Sequence, residues 1–422
     1  MIATIQPSAI NGNIQAPASK SAMQRACALA LLNNGETIIK NPGNSNDDLA
    51  AINIVKQLGA AVYEDHGDLI IKSNGLVRSK GPIDCGESGL SLRMFAAIAA
   101  LDVSTVLLNG SGSLLKRPMH FIDEIFTLLN VNTKSNNGFL PISITGPLVP
   151  ANISIDGSSS SQYLTGLLFA FANAAKELVS INVMDLKSKP YIDLSMQMLT
   201  LFGYNVSHDL YTDFYIRPID KKEKNISYYT EADWSSASFI LVAGAIAGTI
   251  HVSGLDIHSV QADRMILQVL ERCNADIKID KGTISVSNKN KLDAFEFDAT
   301  DCPDLFPPLV VLAACCNGTS IIKGVSRLAS KESNRAETLV EVFSKMGVEL
   351  FFRNDEMIIT GTDEIKPAIV SSHHDHRIAM ACAIAGLKAT GIIIIHDAEA
   401  VNKSYPAFYE HLKELGASVS LS

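Results

Sequence analysis

The chain has 422 residues, of which 47% are hydrophobic and 19% charged, and this composition excludes a disordered or fibrous protein. With 35 Lys and Arg against 44 Asp and Glu, the formal charge is −9, which gives no long-range attraction for nucleic acid or an anionic membrane. We therefore predict two domains, and we expect any anionic ligand to be held by a local cluster of basic residues.

Six apolar stretches rich in small residues recur along the chain, and each is preceded by a polar segment. In chain order they begin near 19, 88, 160, 235, 304 and 376, so that successive starts are 69, 72, 75, 69 and 72 residues apart. Each stretch has almost no polar face, which predicts a helix buried on all sides. The regular spacing indicates six copies of one unit of about 70 residues.

The remainder of each unit repeats as well. A β-branched strand follows each apolar stretch, and an amphipathic helix with apolar residues at three- and four-residue spacing comes next. Strand-like segments close the first five units, whereas the sixth is predicted to end at its helix. We expect residues 1–14 to supply the missing strands to this last unit.

Three units are predicted to close one lobe around their buried helices, so that six units give two lobes. The first lobe is predicted to span 15–230 and the second to combine 1–14 with 231–422, with the boundary near Tyr228–Ala232. The alternative is an open solenoid. We consider it the weaker interpretation, because solenoid repeats of roughly 20 to 50 residues are shorter and need caps that we do not find in the sequence.

Polar and basic residues cluster where the predicted helices begin. A helix N-terminus offers free backbone N–H groups and a positive dipole end to an anion. Basic residues gathered there in an acidic protein indicate a small polyanionic ligand, because buried charges are costly without a partner. The residues at the buried helices are Lys20, Ser21, Arg25, Arg93, Ser160, Ser161, Gln162, His376 and Arg377, and those at the outer helices are Lys116, Arg117, Lys187, Lys189, Lys331, Arg335 and Lys403.

Several of these residues also have ordinary structural interpretations. Ser21 and Arg25 share a helix face and could be a cap and a solvated arginine. The three-residue spacing of Glu332 and Arg335 is that of a surface ion pair. Asp304 could simply cap its helix. The functional interpretation depends on the joint pattern.

We predict no metal site and no disulfide framework. The run His373-His374-Asp375-His376 looks like a metal motif, but adjacent side chains point in different directions and no further ligand spacing completes it. Seven scattered cysteines are expected to be small buried residues. No apolar run approaches the roughly 18 residues of a membrane span, and the first residues do not read as a signal peptide, so we expect a soluble, cytoplasmic protein.

At nearly full length the motifs resemble the 5-enolpyruvylshikimate-3-phosphate synthase (3-phosphoshikimate 1-carboxyvinyltransferase) family. The similarity runs from Ala16-Pro17-Ala18-Ser19-Lys20-Ser21 to Asn402-Lys403-Ser404-Tyr405-Pro406. It implies an inside-out α/β barrel of two lobes, each with three βαβαββ units, and an active site in the cleft between them. The implied reaction, a step of aromatic amino acid biosynthesis, transfers the carboxyvinyl group of phosphoenolpyruvate to the 5-hydroxyl of shikimate 3-phosphate through a tetrahedral intermediate. Phosphate is released, and no cofactor is implied.

The same resemblance assigns the site residues. Shikimate 3-phosphate is expected to contact Lys20, Ser21, Arg25, Ser160, Ser161, Gln162, Ser188, Asp304 and Lys331. Phosphoenolpyruvate is expected to contact Lys20, Gly89, Arg117, Gln162, Arg335, Arg377 and Lys403. The implied catalytic residues are Asp304, Glu332, Lys20, His376 and Lys403. Asp304 would accept the hydroxyl proton and Glu332 would move a proton at the methylene carbon, while fixed positive charge stabilises the intermediate.

Two positions depart from the common family pattern. In the segment Gly86-Glu87-Ser88-Gly89-Leu90-Ser91-Leu92-Arg93, Glu87 stands where the family usually has a neutral asparagine. A carboxylate there would repel an anionic substrate unless it turns onto a nearby base. In Lys331-Glu332-Ser333-Asn334-Arg335, the charged residues at both ends remain, but Asn334 replaces the usual acid.

Three rival functions remain open on sequence grounds. The sister UDP-N-acetylglucosamine enolpyruvyl transferase usually has a reactive cysteine before its Arg-Pro, and the segment 110–117 has none, while Ser188-Lys189-Pro190-Tyr191 favours the shikimate enzyme. A non-catalytic binder of a phosphorylated metabolite would gain nothing from Asp304 and Glu332 beside its ligand. A relative acting on RNA ends would need a basic surface. We expect a monomer whose partners are the two small substrates.

Overall fold

The chain forms two compact units in the computed structural model, which describes residues 1–77, 79, 81–220 and 224–422. The central unit is Ala18–Glu231, and the terminal unit combines Met1–Pro17 with Ala232–Ser422. The chain thus passes from one unit to the other after Pro17 and after Glu231, compared with the expected changes after residues 14 and 230.

The described residues contain twelve α-helices and twenty-four strands. The N-terminal segment forms β1 (Ile2–Ile5) and β2 (Ile10–Gln15). The central unit contains α1 (Lys20–Leu32), β3 (Asn34–Lys40), α2 (Asn46–Gln57), β4 (Ala61–Asp65), β5 (Asp68–Asn74), β6 (Ile83–Asp84), α3 (Gly89–Ala99), β7 (Thr105–Asn109), α4 (His120–Leu128), β8 (Asn132–Asn136), β9 (Phe139–Thr145), β10 (Ile153–Asp156), α5 (Ser161–Ala174), β11 (Val179–Met184), α6 (Lys189–Leu201), β12 (Asn205–Asp209), β13 (Asp213–Arg217) and β14 (Ile226–Tyr229).

The terminal unit continues with α7 (Trp234–Ala247), β15 (Gly248–Ser253), α8 (Ile266–Arg272), β16 (Asp276–Asp280), β17 (Thr283–Ser287), β18 (Glu296–Asp298), α9 (Phe306–Ala314), β19 (Thr319–Lys323), α10 (Arg335–Lys345), β20 (Glu349–Arg353), β21 (Glu356–Thr360), β22 (Ala368–Ser371), α11 (His376–Lys388), β23 (Ile393–His396), α12 (Phe408–Glu414) and β24 (Val419–Leu421). Short 3-10 turns lie at Gly112–Lys116, Ala262–Met265, Pro303–Leu305, Val325–Leu328 and Ala398–Lys403.

The strands form six four-stranded sheets within the described residues, which confirms the sixfold βαβαββ prediction. The sheet β6-β7-β9-β8 represents the pattern: β6 and β7 are parallel, and β9 pairs antiparallel with β7 and β8. A buried helix connects the parallel pair, as a parallel crossover requires. The same order recurs in every sheet.

The expected role of the N-terminus is corrected in two respects. Only β1 joins the sixth sheet, in the order β22-β23-β1-β24, and β24 follows the last helix, so the sixth unit does not end at its helix. The strand β2 pairs with β15 of the fourth sheet instead, whereas β14 pairs with β3 of the first. The first strands of the first and fourth repeats are therefore exchanged.

Five of the six buried helices begin at capping residues, because an oxygen side chain satisfies N–H groups that the helix leaves free; α9 has no side-chain cap. Ser19, Ser88, Ser160, Asp233 and Asp375 accept hydrogen bonds from the first turns of α1, α3, α5, α7 and α11. All residues of α3 and α7 are buried. Polar groups at these starts are thus held by a rigid core.

The cysteine prediction needs one correction. Six of the seven cysteines are buried, but Cys315, just beyond the end of α9, is partly exposed. Among the residues that the structure describes, no helix has both the length and the apolar character needed to cross a membrane.

Candidate active site

The start of α1 presents the first basic group in the central unit. Lys20 is the first residue of the helix, and its Nζ donates to Asp47 Oδ2 at 2.9 Å. Asp47 lies in the first turn of α2, and its side chain is only 4% exposed. The ion pair fixes the ammonium group at the mouth of two helix N-termini, where a bound anion is favoured.

Arg25 is a buried anchor rather than the solvated arginine that the sequence alone allowed. The residue is 1% exposed, and its Nε donates to Ser195 Oγ at 2.9 Å. Its two Nη atoms donate to the carbonyls of Ser21 at 2.8 Å and Tyr191 at 3.2 Å. Burial lowers the Arg25 pKa to about 10, so the group remains a cation at neutral pH. Such a cation favours an anionic ligand nearby.

Hydroxyl groups from α5 and α6 surround this arginine network. Ser195 Oγ lies 2.9 Å from Thr165 Oγ1, and Thr165 donates to the carbonyl of Ser161, the first residue of α5. Ser160 caps the same helix by accepting from the Gln162 N–H at 3.3 Å. The helix start therefore offers hydroxyl and amide groups beside a buried cation.

Ser188 precedes α6 with a left-handed backbone, at φ 56°. Ser188 is buried. Lys189 follows it as the first residue of α6, and its Nζ lies 5.6 Å from the centre of the Tyr211 ring. The strained turn places Ser188 and Lys189 at the α6 start, in line with the predicted cluster.

Two more arginines meet at the start of α3. Arg93 Nη1 donates to Gln162 Oε1 at 2.8 Å, which joins α3 to α5. A Cβ atom added to Gly89 would lie 2.6 Å from Arg117 Nη1 and 2.8 Å from Arg93 Nη1. A side chain at position 89 would require these guanidinium groups to move away from the helix backbone.

The sequence analysis missed the groups that hold these residues. Gln24 is fully buried, and its Oε1 accepts from the hydroxyls of Ser88 and Ser91 at 2.9 Å each, so it joins α1 to the start of α3. Asp47 and Ser195 were also missed. A glutamine inside an apolar stretch was the one visible signal, because Asp47 and Ser195 lie on outer helices with ordinary polar faces.

The terminal unit contains a second cluster, centred on Asp304. Asp304 Oδ1 accepts from Arg335 Nη1 at 2.8 Å and lies 3.4 Å from Lys331 Nζ, while Oδ2 accepts from Arg377 Nη2 at 3.0 Å. The side chain does not cap α9, because it belongs to the preceding 3-10 turn and faces these cations instead. The capping interpretation is therefore wrong.

Arg335 connects three carboxylates. Besides Asp304, it donates from Nη2 to Glu332 and from Nε to Asp375 Oδ2 at 2.8 Å. Its side chain is 1% exposed, and that of Asp375 is fully buried. The pair Glu332 and Arg335 is thus part of a buried network and not a surface ion pair. Asp375 was missed as its partner.

Electrostatics set the protonation states of this cluster. Burial alone would raise the Asp304 pKa, but Arg377, Lys331 and Arg335 outweigh it and hold that pKa well below its usual range. Burial lowers the Lys331 pKa to about 8, although Asp304 opposes this shift. At neutral pH the cluster therefore contains an ionised carboxylate among cations.

The remaining predicted residues lie at α11 and beside it. His376 is the first residue of α11 and is buried, with Nδ1 3.7 Å from Asp375 Oδ1. Lys403 ends the 3-10 turn Ala398–Lys403, which packs against α11, and it is also buried. His376 therefore lies on α11, the helix that contains Arg377, and Lys403 lies on a turn that packs against this helix.

Two groups in the described residues have potential metal-ligand atoms within 4.8 Å of one another. They are Glu332, Asp375 and His376, and the more exposed His374, Asp397 and Glu399. In the first group Arg335 already donates to both carboxylates. In the second group Glu399 pairs with the N-terminal amine at 2.8 Å and Asp397 accepts from Ser371. In both groups these carboxylates already serve as acceptors for protein donors.

The two clusters have complementary chemistry. The central unit presents buried cations with hydroxyl and amide donors, which suits a phosphorylated hydroxylic ligand. The terminal unit presents three carboxylates in contact with guanidinium and ammonium groups, which suits proton transfer next to a stabilised negative charge.

Comparisons with known proteins agree with one another. The model of the EPSP synthase (3-phosphoshikimate 1-carboxyvinyltransferase) family matches residues 5–412. The chain is 34% identical over 417 residues to a 3-phosphoshikimate 1-carboxyvinyltransferase of Clostridium kluyveri, covering 99% of this chain and 97% of the relative. It is 34% identical over 415 residues to the same enzyme of Aeropyrum pernix, with 98% and 96% covered. The solved structure of EPSP synthase from Acinetobacter baumannii matches with a TM-score of 0.82 and 26% identity, covering 100% of both chains.

Proposed function

Because the chain belongs to the EPSP synthase (3-phosphoshikimate 1-carboxyvinyltransferase) family, we propose that Asp304 and Glu332 are the proton-transfer groups of that reaction in this protein. The family transfers the carboxyvinyl group of phosphoenolpyruvate to the 5-hydroxyl of 3-phosphoshikimate, a step of aromatic amino acid biosynthesis, and the chain is a transferase of this kind. The contact of Asp304 with Arg335, Arg377 and Lys331 is the observation that carries the assignment.

The substrates divide between the clusters. We assign 3-phosphoshikimate chiefly to the central unit, where buried Arg25 and the serines at the starts of α5 and α6 supply cationic and hydroxyl donors. Phosphoenolpyruvate is assigned to Arg117 and Gly89 of the central unit and to the arginines of the terminal unit. Reaction then needs both units, and neither should be active alone.

The chemistry follows from the charges. Asp304 accepts the proton of the attacking hydroxyl, and Glu332 delivers a proton to the methylene carbon, which gives the tetrahedral intermediate. Glu332 then takes a proton back from the new methyl group as the C–O bond to phosphate breaks, and the proton held by Asp304 passes to the departing phosphate. Anionic substrates that bind the same cations draw them away from Asp304. The Asp304 pKa therefore rises on binding, and the carboxylate becomes a better base at the moment it is needed.

The decisive test is a phosphate-release assay with phosphoenolpyruvate, run in parallel with 3-phosphoshikimate and with UDP-N-acetylglucosamine, with the product identified by mass. Release only with 3-phosphoshikimate is the expected result. Release with UDP-N-acetylglucosamine would assign the chain to the sister reaction. No release with either would favour a binding function.

We also propose that the enzyme acts as a cytoplasmic monomer on its two small substrates, without nucleic acid or a membrane partner. The net charge of −9 supports the exclusion of polyanionic partners. Sedimentation of the protein with and without both substrates tests the monomer, and a mass of two chains under either condition would contradict it.

Replacing Arg25 with alanine is expected to weaken 3-phosphoshikimate binding by about two orders of magnitude, because a buried charge-assisted contact is lost. The KM for phosphoenolpyruvate should change far less. Steady-state kinetics with each substrate varied in turn measure the difference. Arg217→Ala, at an exposed arginine that donates to Ser207 on the neighbouring strand, is the matched control. An unchanged affinity for 3-phosphoshikimate in Arg25→Ala would contradict the assignment.

The KM for 3-phosphoshikimate is expected to rise as the pH passes about 8. Lys331 has a lowered pKa of about 8, so its cation is present below that pH and is lost above it. Lys331→Arg should remove this dependence, since arginine stays charged. A pH profile of KM for both proteins checks the prediction, and parallel profiles would exclude Lys331 as the titrating group.

A further inference from the structure

Two segments of the central unit lie side by side where adjacent parallel strands end. The strands β6 and β7 pair in register at Ile83 and Leu108. One chain segment leads from β6 into α3, and the other leads from β7 into residues 110–117. Their backbones stay joined beyond the strands, because the Ser111 N–H donates to the Gly86 carbonyl at 2.8 Å.

Glu87 adds a side-chain connection between the same two segments. Its Oε2 accepts from the Ser113 N–H at 3.1 Å and from the Ser113 hydroxyl at 3.0 Å. Gly112 has φ +52°, and a Cβ atom there would lie 2.4 Å from Glu87 Cδ. The Glu87 carboxylate therefore lies directly on the 110–117 segment, where Ser113 donates to it.

The 110–117 segment ends at a predicted substrate residue. Arg117 is 8% exposed, and its guanidinium lies against Gly89, the first residue of α3. Ser113 lies in the short 3-10 turn Gly112–Lys116, and Arg117 follows that turn directly, so the position of one is transmitted to the other through about one turn of backbone. A shift of Ser113 would move Arg117.

We propose that Glu87 is a positioning residue that ties the 110–117 segment to the start of α3 and so holds Arg117 in place for phosphoenolpyruvate. The inference rests on the proposed function, in which Arg117 binds that substrate. The carboxylate of Glu87 accepts both Ser113 donors with one oxygen.

The kinetic test uses three variants. Glu87→Ala should raise the KM for phosphoenolpyruvate about 10-fold with kcat changed less than about threefold, since a hydrogen bond to a charged group is lost away from the reacting atoms. Glu87→Gln retains an acceptor oxygen and should stay within about threefold of the original KM. Ser113→Ala should raise the KM, but less than Glu87→Ala. The KM for 3-phosphoshikimate should not change.

The double variant Glu87→Ala with Ser113→Ala separates positioning from a direct charge effect. If the two side chains act through their contact, the double variant should be no worse than Glu87→Ala alone. Glu124→Ala, at an exposed glutamate on α4, is the matched control. A lower KM for phosphoenolpyruvate in Glu87→Gln, or effects that multiply in the double variant, would overturn the proposal.

Hydrogen exchange of the peptide covering 110–117, without substrates, tests the same contact independently of turnover. Faster exchange in Glu87→Ala and in Ser113→Ala than in the unchanged protein is expected. Equal exchange in all three would overturn the tie between the segments. If the unchanged protein has no activity with 3-phosphoshikimate, the proposed function fails, but this measurement still decides the role of Glu87. If Glu87→Ala does not fold, Ser113→Ala provides the comparison.

Discussion

Replacing Asp304 with asparagine is expected to lower kcat by about 10²- to 10⁴-fold, the usual contribution of a positioned general base. Asparagine fills the same volume but cannot take up the hydroxyl proton. Its single acceptor oxygen also serves Arg335, Arg377 and Lys331 less well than the carboxylate does. The KM values should stay within about 10-fold, because those cations remain available to the substrates.

Steady-state and single-turnover kinetics of phosphate release measure this effect, since the single-turnover rate reports the chemistry itself. Asp298→Asn makes the same chemical change six residues earlier, at an exposed aspartate that pairs with Lys323 at 3.6 Å, and it should leave kcat unchanged. Glu332→Gln should lower kcat to a similar extent. Near-normal turnover in both Asp304→Asn and Glu332→Gln would rule out the assigned proton-transfer roles.

The six repeats could be predicted because each buried helix is apolar all round, and such a pattern needs no knowledge of distant contacts. The exchange of β2 and β14 between the first and fourth sheets could not be predicted from the sequence. The strand β2 precedes α1 in the chain but pairs with β15, and β14 precedes α7 but pairs with β3. Strand partners depend on long-range pairing that neither periodicity nor local propensity records.

The residues of the candidate site also fall into two groups, those that the sequence could identify and those that it could not. Motif resemblance identified Asp304, Glu332 and Arg335, because charged residues at helix starts are visible in the sequence. It did not reveal that Asp375 binds Arg335 across 40 residues, or that Ser195 binds Arg25 across 170. Those supporting groups are common polar residues, and only the fold brings them to their partners.

The largest effect on stability is expected from Arg335→Ala, which should lower the free energy of unfolding of the terminal unit by about 3–5 kcal/mol. The guanidinium donates to Asp304, Glu332 and Asp375, and its removal leaves buried carboxylates with fewer positive partners. Asp375 is affected most, because its side chain is fully buried and an uncompensated charge there is costly.

Urea unfolding followed by Trp234 fluorescence measures this change in the relevant unit. Trp234 is the single tryptophan of the chain, it is fully buried, and it lies in the terminal unit together with Arg335. Arg353→Ala is the matched control in the same unit, because Arg353 is 60% exposed and pairs with Glu356 at 3.2 Å. Its effect should be below about 1 kcal/mol, as for other surface ion pairs.

The pH dependence of the unfolding free energy distinguishes loss of charge compensation from loss of packing in the Arg335→Ala variant. In the unchanged protein the Asp304 pKa lies well below its ordinary value of about 3.9. The resulting stabilisation is therefore fully present above that ordinary value and is lost as the pH falls through the depressed one. Without Arg335 the folded-state pKa of Asp304 rises, so protonation of Asp304 relieves the variant at a higher pH than the unchanged protein.

The difference in unfolding free energy between Arg335→Ala and the unchanged protein should accordingly be larger at pH 7 than at pH 3. A cavity left by the missing side chain costs the same at both values, because no proton is exchanged in filling or emptying it. A difference that does not vary with pH would therefore mean that Arg335 stabilises the terminal unit by packing rather than through its ion pairs with Asp304, Glu332 and Asp375.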